Sequence, residues 1–294
     1  MSYLEEGSDY TKLKLDHFNS IIRMHLKITR NVAIKDSRSD GRYHYFDVTS
    51  SSGKVLLLNE QIIDGSPLVF LKAADDLRVR FYANFIDLDC EKIDSLRGNI
   101  QAEFPQYNEY HLACQCTDYN YVMGQFMADY NPRMYGVVYL DPYGSKPIDF
   151  EMLRLVSENI PRMEVLISIP TRSIKLNSHH WGNIQLGDLL KMIGKQYWLI
   201  RERYGRWGWT FLLGTNTDVF DDYKACQLYK INGNGGLGSE IFEEVNEHMK
   251  QMSDDRRDEL DKRWKIRQSE YEFEYGKSEQ LTLFDLLPKG KKKR

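Results

Sequence analysis

Gly136-Val137-Val138-Tyr139-Leu140-Asp141-Pro142-Tyr143-Gly144 is the stretch whose reading settles the architecture. Val137 to Leu140 run without a polar break into an acid, a proline and a tyrosine. A strand that is apolar at every position is buried on both faces, as in a parallel sheet covered by helices. In an open sheet of that kind ligands lie outside the carboxyl ends of the strands. Asp141, Pro142 and Tyr143 fall there. An Asp-Pro-aromatic turn has a concrete use at that place. The carboxylate, or a carbonyl beside it, accepts from an exocyclic amine, the proline fixes the backbone, and the ring stacks on a planar base. The same residues also make an ordinary strand-ending turn.

Outward from this strand, helix and strand patterns alternate. Residues 1–10 are polar and read as a frayed end. From Lys12 to about Thr29, Leu13, Phe18, Ile21, Ile22 and Leu26 recur at helical spacing. Tyr43 to Asp47 reads as a first strand ending in an acid, and Val48 to Gly53 as a loop of small residues. Asp64-Gly65-Ser66-Pro67 looks like a helix start, with Ser66 as cap and Pro67 at the first helical position. The pattern then predicts strand Phe81–Asp89, helix Glu91–Ala102, strand Glu109–Cys114 and helix Asp118–Met127. Beyond the opening stretch it predicts helix Asp149–Val156 and strand Val165–Ile169.

Such alternation argues an α/β fold with a Rossmann-like, mostly parallel sheet. After Pro170 the pattern changes to helix Leu186–Ile193 and strands Tyr197–Arg201, Trp207–Leu213 and Gln227–Ile231. Late hairpin strands after an alternating core suit the methyltransferase variant of the doubly wound sheet. From Ser239 on, Ile241, Val245, Met249 and Met252 share one helical face, and a highly charged segment follows to Glu270. The expected division is an N-terminal tail and helix over 1–40, a Rossmann-like domain over 41–238, a charged helical extension over 239–276, and a tail over 277–294.

Composition narrows the function classes. The 294 residues, 41% hydrophobic, suffice for a large α/β domain with appendages. Net charge is only -3, so bulk charge does not announce a nucleic-acid binder, yet Lys289, Lys291, Lys292, Lys293 and Arg294 form a basic end with no acid among them. No apolar stretch approaches the length of a membrane span, and no secretory leader is visible, so a soluble, cytoplasmic chain is expected. Cys90, Cys114, Cys116 and Cys226 complete no zinc pattern and read as core thiols of a reducing compartment. His179-His180-Trp181 lacks a third ligand of suitable spacing, so no metal site is expected.

A nucleoside cofactor on this kind of sheet needs a tight turn after the first strand, an acid after the second for the ribose, and a polar group after the third for the adenine. The candidates are Ser51 and Gly53 in the turn, Asp87 or Asp89 in Ile86-Asp87-Leu88-Asp89, and Asp118. The fourth strand carries Asp141-Pro142-Tyr143. Each acid alone is commonplace. Their order along one sheet is the better signal.

With these residues in place, the chain resembles the three-Cys-motif partner proteins, which are similar to class I S-adenosylmethionine methyltransferases. The likeness is carried by Tyr45-Phe46-Asp47 with its loop to Gly53, by Asp64-Gly65-Ser66-Pro67-Leu68, and by Phe85-Ile86-Asp87-Leu88-Asp89. It continues in Leu140-Asp141-Pro142-Tyr143-Gly144 and in Trp207-Gly208-Trp209-Thr210-Phe211-Leu212-Leu213-Gly214-Thr215-Asn216, and spans roughly residues 12–250. The resemblance implies an S-adenosylmethionine site built from Asp47, Gly53, Asp87, Asp89 and Asp118, with Asp141 to Tyr143 facing the substrate. It also implies a three-Cys-motif protein as partner. The Asp-Pro-Tyr-Gly-Ser run is similar, over about ten residues, to the corresponding motif of tRNA guanine-N2 methyltransferases. The chain departs where the family has Phe-Ala-Gly-Pro-Gly and this sequence has Thr49-Ser50-Ser51-Ser52-Gly53. Two expectations separate there: a methyltransferase acting on an exocyclic amine of a DNA or RNA base, or a methyltransferase-shaped binding protein that works through partners.

Near the C-terminus, Gln280-Leu281-Thr282-Leu283-Phe284 resembles the pentapeptide that docks on the bacterial DNA sliding clamp. Gln280 would hydrogen-bond in one subsite while Leu281, Leu283 and Phe284 meet apolar surface. Read otherwise, the same residues dock on their own domain, since Leu286 and Leu287 prolong the apolar run. The basic end would add sequence-independent attraction to phosphates.

Overall fold

The computed structural model describes residues 4–7, 9–33, 40–128, 133–142, 148–170, 186–201, 209–217, 223 and 225–230. Tyr143, the His179-His180 pair, Trp207, the helical extension and the whole tail lie outside them. The described elements, in chain order, are β1 (Glu5–Gly7), α1 (Asp9–Ala33), β2 (Tyr43–Asp47), β3 (Lys54–Leu57), β4 (Ile62–Asp64) and α2 (Ser66–Asp76). Then come β5 (Phe81–Asp87), α3 (Cys90–Glu103), β6 (Leu112–Cys116), α4 (Tyr119–Ala128), β7 (Tyr135–Leu140) and α5 (Phe150–Asn159). The last are β8 (Met163–Pro170), α6 (Leu186–Ile193), β9 (Tyr197–Arg201), β10 (Trp209–Thr215) and β11 (Leu228–Lys230).

Eight strands form the main sheet in the order β11-β9-β10-β8-β7-β2-β5-β6. The five from β8 to β6 are mutually parallel, β10 runs antiparallel between β8 and β9, and β11 closes the edge antiparallel to β9. Numbered along the chain, the parallel core reads 3-2-1-4-5, the doubly wound order. The last long strand, β10, is inserted between the fifth and sixth.

The opening stretch shows why this sheet is buried twice. Val137 and Tyr139 of β7 point into the core that also holds Phe18, Ile22 and Leu26 of α1, Leu68 and Phe70 of α2, and Ile93 and Leu96 of α3. Val138 and Leu140 point the other way, among Val122 and Met123 of α4, Leu153 and Val156 of α5, and Leu190 and Ile193 of α6. Period-two alternation therefore feeds two cores, and every position must be apolar. β2 does the same with Tyr43 and Tyr45 on one face and Phe46 on the other. Gly136 lies opposite His44 in the β2–β7 register. A Cβ there would stand 1.7 Å from the His44 carbonyl oxygen, so only glycine lets these two central strands approach.

Several expectations need correcting. The N-terminal residues are not simply frayed, since Glu5–Gly7 pairs in parallel with β3. The segment between the serine turn and α2 forms the antiparallel β3–β4 hairpin, so a second, three-stranded sheet of order β1-β3-β4 interrupts the first crossover. The third strand is Leu112–Cys116 rather than Glu109–Cys114, because Asn108 turns the chain by accepting from the Tyr110 and His111 amides. Ser66 does not cap α2. Gly65 is its N-cap, with no side-chain cap bond. Finally, Cys90 and Cys116 are joined in a disulfide while Cys114 and Cys226 are free, so four free thiols no longer speak for a reducing compartment. Among the described residues no helix is long and apolar enough to cross a membrane.

Candidate functional site

The crossover direction reverses at β2: β5 and β6 lie to one side, β7 and β8 to the other. At such a switch point the loops leaving adjacent strands part and open a crevice at the carboxyl edge. Residues 48–53 bridge that edge. The Val48 amide donates to the Tyr139 carbonyl at 3.1 Å and the Ser50 amide to the Ile86 carbonyl at 3.0 Å, so the turn is anchored to both neighbours of β2. The Ser50 hydroxyl repeats the second contact at 3.1 Å.

Ser51 sits at φ +50° and Gly53 at φ +75°. Both lie in the left-handed region that favours glycine. At Ser51 a serine rather than a glycine holds that left-handed conformation. The compensation is visible. The Ser51 amide donates to Asp87 Oδ2 at 3.0 Å, and Asp87 Oδ1 accepts the Asp89 amide at 3.0 Å. Asn99 of α3 donates to the Ser52 carbonyl at 2.9 Å, and Gly65 donates to the Gly53 carbonyl at 2.8 Å. A Cβ on Gly53 would lie 2.6 Å from Leu96 Cδ1.

Asp47 ends β2 and is completely buried. Its carboxylate accepts from the Tyr45 hydroxyl at 3.2 Å, the Thr49 amide at 3.3 Å and the Ser66 hydroxyl. Burial outweighs these bonds and, with the nearby Asp141 charge, pushes the carboxyl up to about 7. Tyr139, buried beneath, is kept neutral by burial and by the Asp141 and Asp47 charges.

Asp141 leaves β7 half-buried. Its amide donates to Thr49 Oγ1 at 2.8 Å, and its carboxylate pairs with Lys14 of α1 at 2.6 Å. Pro142 behind it is buried. On the far side, Asp89 caps α3 by accepting from the Glu91 and Lys92 amides at 3.0 and 3.4 Å. Asp118 caps α4, accepting from the Asn120 amide at 2.8 Å. The Thr117 amide donates to the Asp87 carbonyl at 3.1 Å, holding the ends of β5 and β6 together.

The structure thus gathers Asp47, Ser51, Gly53, Asp87, Asp89, Asp118, Asp141 and Pro142 along one edge, with Asp87, Asp89 and Asp118 on one side of the switch point and Asp141 and Pro142 on the other. Asp89 and Asp118 spend oxygens on helix caps, whereas Asp87 keeps lone pairs on both of its oxygens beyond the single bond each accepts. Sequence reasoning missed Lys14, Thr49, Ser66, Asn99 and Arg201. Lys14 lies on an amphipathic helix where a lysine ordinarily meets solvent, so nothing in the pattern marked it. Arg201 ends β9 fully buried; burial lowers its guanidinium to about 10, and its charge helps to lower His17 of α1. Among the described residues no group of three or more His, Cys, Asp or Glu is placed to hold a metal.

The chain matches no protein-family model and no curated protein. Among solved structures it is similar to a protein from Legionella pneumophila at 13% identity, over 71% of this chain and 89% of that one, with a TM-score of 0.46. It is also similar to human methyltransferase-like protein 13 in complex with SAH, at 10% identity over 82% and 92% of the two chains, with a TM-score of 0.42. A SAM-dependent methyltransferase from Agrobacterium tumefaciens aligns at 11% identity over 66% and 61%, with a TM-score of 0.39. The strand order and registers carry the assignment on their own. The fold is Rossmann-like, in its methyltransferase form.

Proposed function

We propose that the chain is an S-adenosylmethionine-dependent methyltransferase that acts on an exocyclic amine of a nucleic-acid base. The observation that carries this reading is the meeting of the β2 and β7 ends at the switch point, where Asp141, held by Thr49 and Lys14, stands beside buried Asp47. Asp87 fits a ribose, since the Ser51 and Asp89 amides fix its carboxylate while leaving acceptor capacity for two hydroxyls. Gly53 holds the turn in its left-handed conformation against Leu96 and ties it to α2 through Gly65. When bound, the cofactor supplies an electrophilic methyl group on a sulfonium.

The chain's own residues do the positioning. Asp141 accepts an N–H of the amine and turns the nitrogen lone pair toward the methyl. Buried Pro142 limits the backbone there, and Tyr143 stacks on the base. Acceleration of this kind comes from orientation more than from proton transfer, and the base has to be single-stranded or flipped to reach the edge. A nucleic acid is therefore the expected partner, with the basic end at 289–294 adding phosphate contacts. The test is transfer of a labelled methyl group to single-stranded DNA and RNA by wild type and Asp141→Ala. Loss of transfer with cofactor binding retained supports the reading, and equal transfer by the variant removes the carboxylate from the mechanism.

One observation favours a second reading, in which the chain is a methyltransferase-shaped binding protein. The Ser50 and Ser51 amides, which a cofactor carboxylate would use, already bond to Ile86 and Asp87, and Asp141 already has Lys14. A protein of this kind would act through a sliding clamp at Gln280 to Phe284 or through a three-Cys-motif protein.

A further inference from the structure

The Cys90–Cys116 disulfide spans 26 residues of sequence and joins the first residue of α3 to the last residue of β6, with Cα atoms 5.0 Å apart. It crosses between the segments after β5 and β6, which carry Asp89 and Asp118 beside Asp87 at the end of β5. Burial does little to hold the first of these segments, since Leu88 is 76% exposed and Asp89 and Cys90 are exposed as well. A short relay leads from the disulfide to the serine turn. Asp89, next to Cys90, donates its amide to Asp87 Oδ1, and Asp87 Oδ2 takes the amide of strained Ser51. The covalent bond thus ends a chain of contacts whose other end is the turn at the switch point.

We propose that this disulfide is a thiol-exchange site that regulates the cofactor edge, with the oxidised form the binding-competent one. The inference rests on the S-adenosylmethionine reading for its consequence, though not for its chemistry. Exchange takes a dithiol as reductant. One thiolate of the dithiol attacks Cys90 Sγ, the exposed partner, forming a mixed disulfide and expelling Cys116 as thiolate. The second thiol of the reductant then attacks its own sulfur in the mixed disulfide, releasing Cys90 and closing the reductant's own disulfide. Two electrons and two protons pass to the protein, which ends with two thiols. Cys114 stands apart from this chemistry. It is on the same strand, and burial pushes its thiol up to about 11, which leaves little thiolate to compete.

With the bond closed, the ends of β5 and β6 are held before any ligand arrives, so binding does not have to order them. With it open, the Thr117-to-Asp87 backbone bond and the Asp89 cap remain, and the relay to Ser51 loses its covalent anchor. The coupling is reciprocal: whatever binds the oxidised form more tightly makes the disulfide harder to reduce.

The experiment compares oxidised protein, protein reduced with dithiothreitol, and Cys116→Ser, with Cys114→Ser as control. Calorimetric titration with S-adenosylhomocysteine is expected to show affinity weakened about tenfold in the reduced protein and in Cys116→Ser, within the usual range of coupling between sites. Cys114→Ser is expected to match wild type. A tenfold difference corresponds to a midpoint potential about 30 mV lower at saturating ligand, read by thiol trapping in dithiothreitol buffers. Equal affinity in all forms overturns the proposal. Should neither form bind, the cofactor reading fails, and the exchange site is judged by hydrogen exchange alone. Amides of 87–92 and 116–120 are then expected to exchange at least about tenfold faster on reduction. Unchanged exchange there, or free Cys90 and Cys116 thiols in air-oxidised protein, also overturns it.

Discussion

Replacing Asp47 by asparagine separates the electrostatics of the switch point from its packing. The carboxyl is completely buried and titrates near 7 in the folded protein, against an ordinary value near 3.9 in an unfolded chain. Below about pH 4 both states hold the proton and Asp47 contributes no pH dependence. As pH rises from about 4 to 7 the unfolded chain releases its proton first, so the folded state binds more protons and stability falls. Integrated over that window the loss is about 4 kcal/mol, an upper figure because the site can relax. Asparagine has nearly the same shape and carries no charge. Its Oδ1 can accept from the Thr49 amide, and its Nδ2 can donate to the Tyr45 or Ser66 hydroxyl, either of which can turn to accept. Urea unfolding of both proteins from pH 4.5 to 8 is the assay. Near pH 4.5 the two are expected to differ little, and at pH 8 the variant is expected to be more stable by about 2–4 kcal/mol. A difference that stays constant across the range, or a variant less stable at pH 8, refutes the claim that Asp47 is a destabilised buried charge.

Gly53→Ala meets a left-handed φ and buried Leu96 at once; the expected cost is about 2–4 kcal/mol, or a drop in melting temperature of roughly 5–10 °C. Gly98→Ala, on α3 with nothing within 4 Å of the added carbon, is the control and should be neutral or stabilising by up to about 1 kcal/mol. In a clamp pull-down, Leu283→Ala with Phe284→Ala is expected to abolish capture of the full chain; undiminished capture ends the docking proposal for the tail.

The central sheet was legible because its constraint is local and periodic. Val137 to Leu140 must feed two cores, and an unbroken apolar run says so directly; Tyr43, Tyr45 and Phe46 do the same around a buried His44. α1 was legible for the same kind of reason, its Phe18, Ile21, Ile22 and Leu26 recurring on one face. The β3–β4 hairpin was hidden because its strands, Lys54–Leu57 and Ile62–Asp64, are too short to set a period, and the Ser66-Pro67 pair that follows reads as a helix start. Ser66 serves Asp47 instead, a contact between residues far apart in sequence. The acids at the edge were found by type and order, whereas their partners were not. Lys14 on Asp141, Ser51 on Asp87 and Cys90 on Cys116 are pairings that only the fold brings together.

Whether the edge formed by Asp47, Ser51, Gly53 and Asp87 takes the cofactor is tested most directly by calorimetric titration of the oxidised full chain with S-adenosylmethionine, beside Asp87→Ala. The account predicts saturable heat for the wild type and binding weakened at least about tenfold in the variant, as expected when an acceptor for two ribose hydroxyls is removed. No heat from the wild type at millimolar ligand, or equal binding by Asp87→Ala, would contradict it.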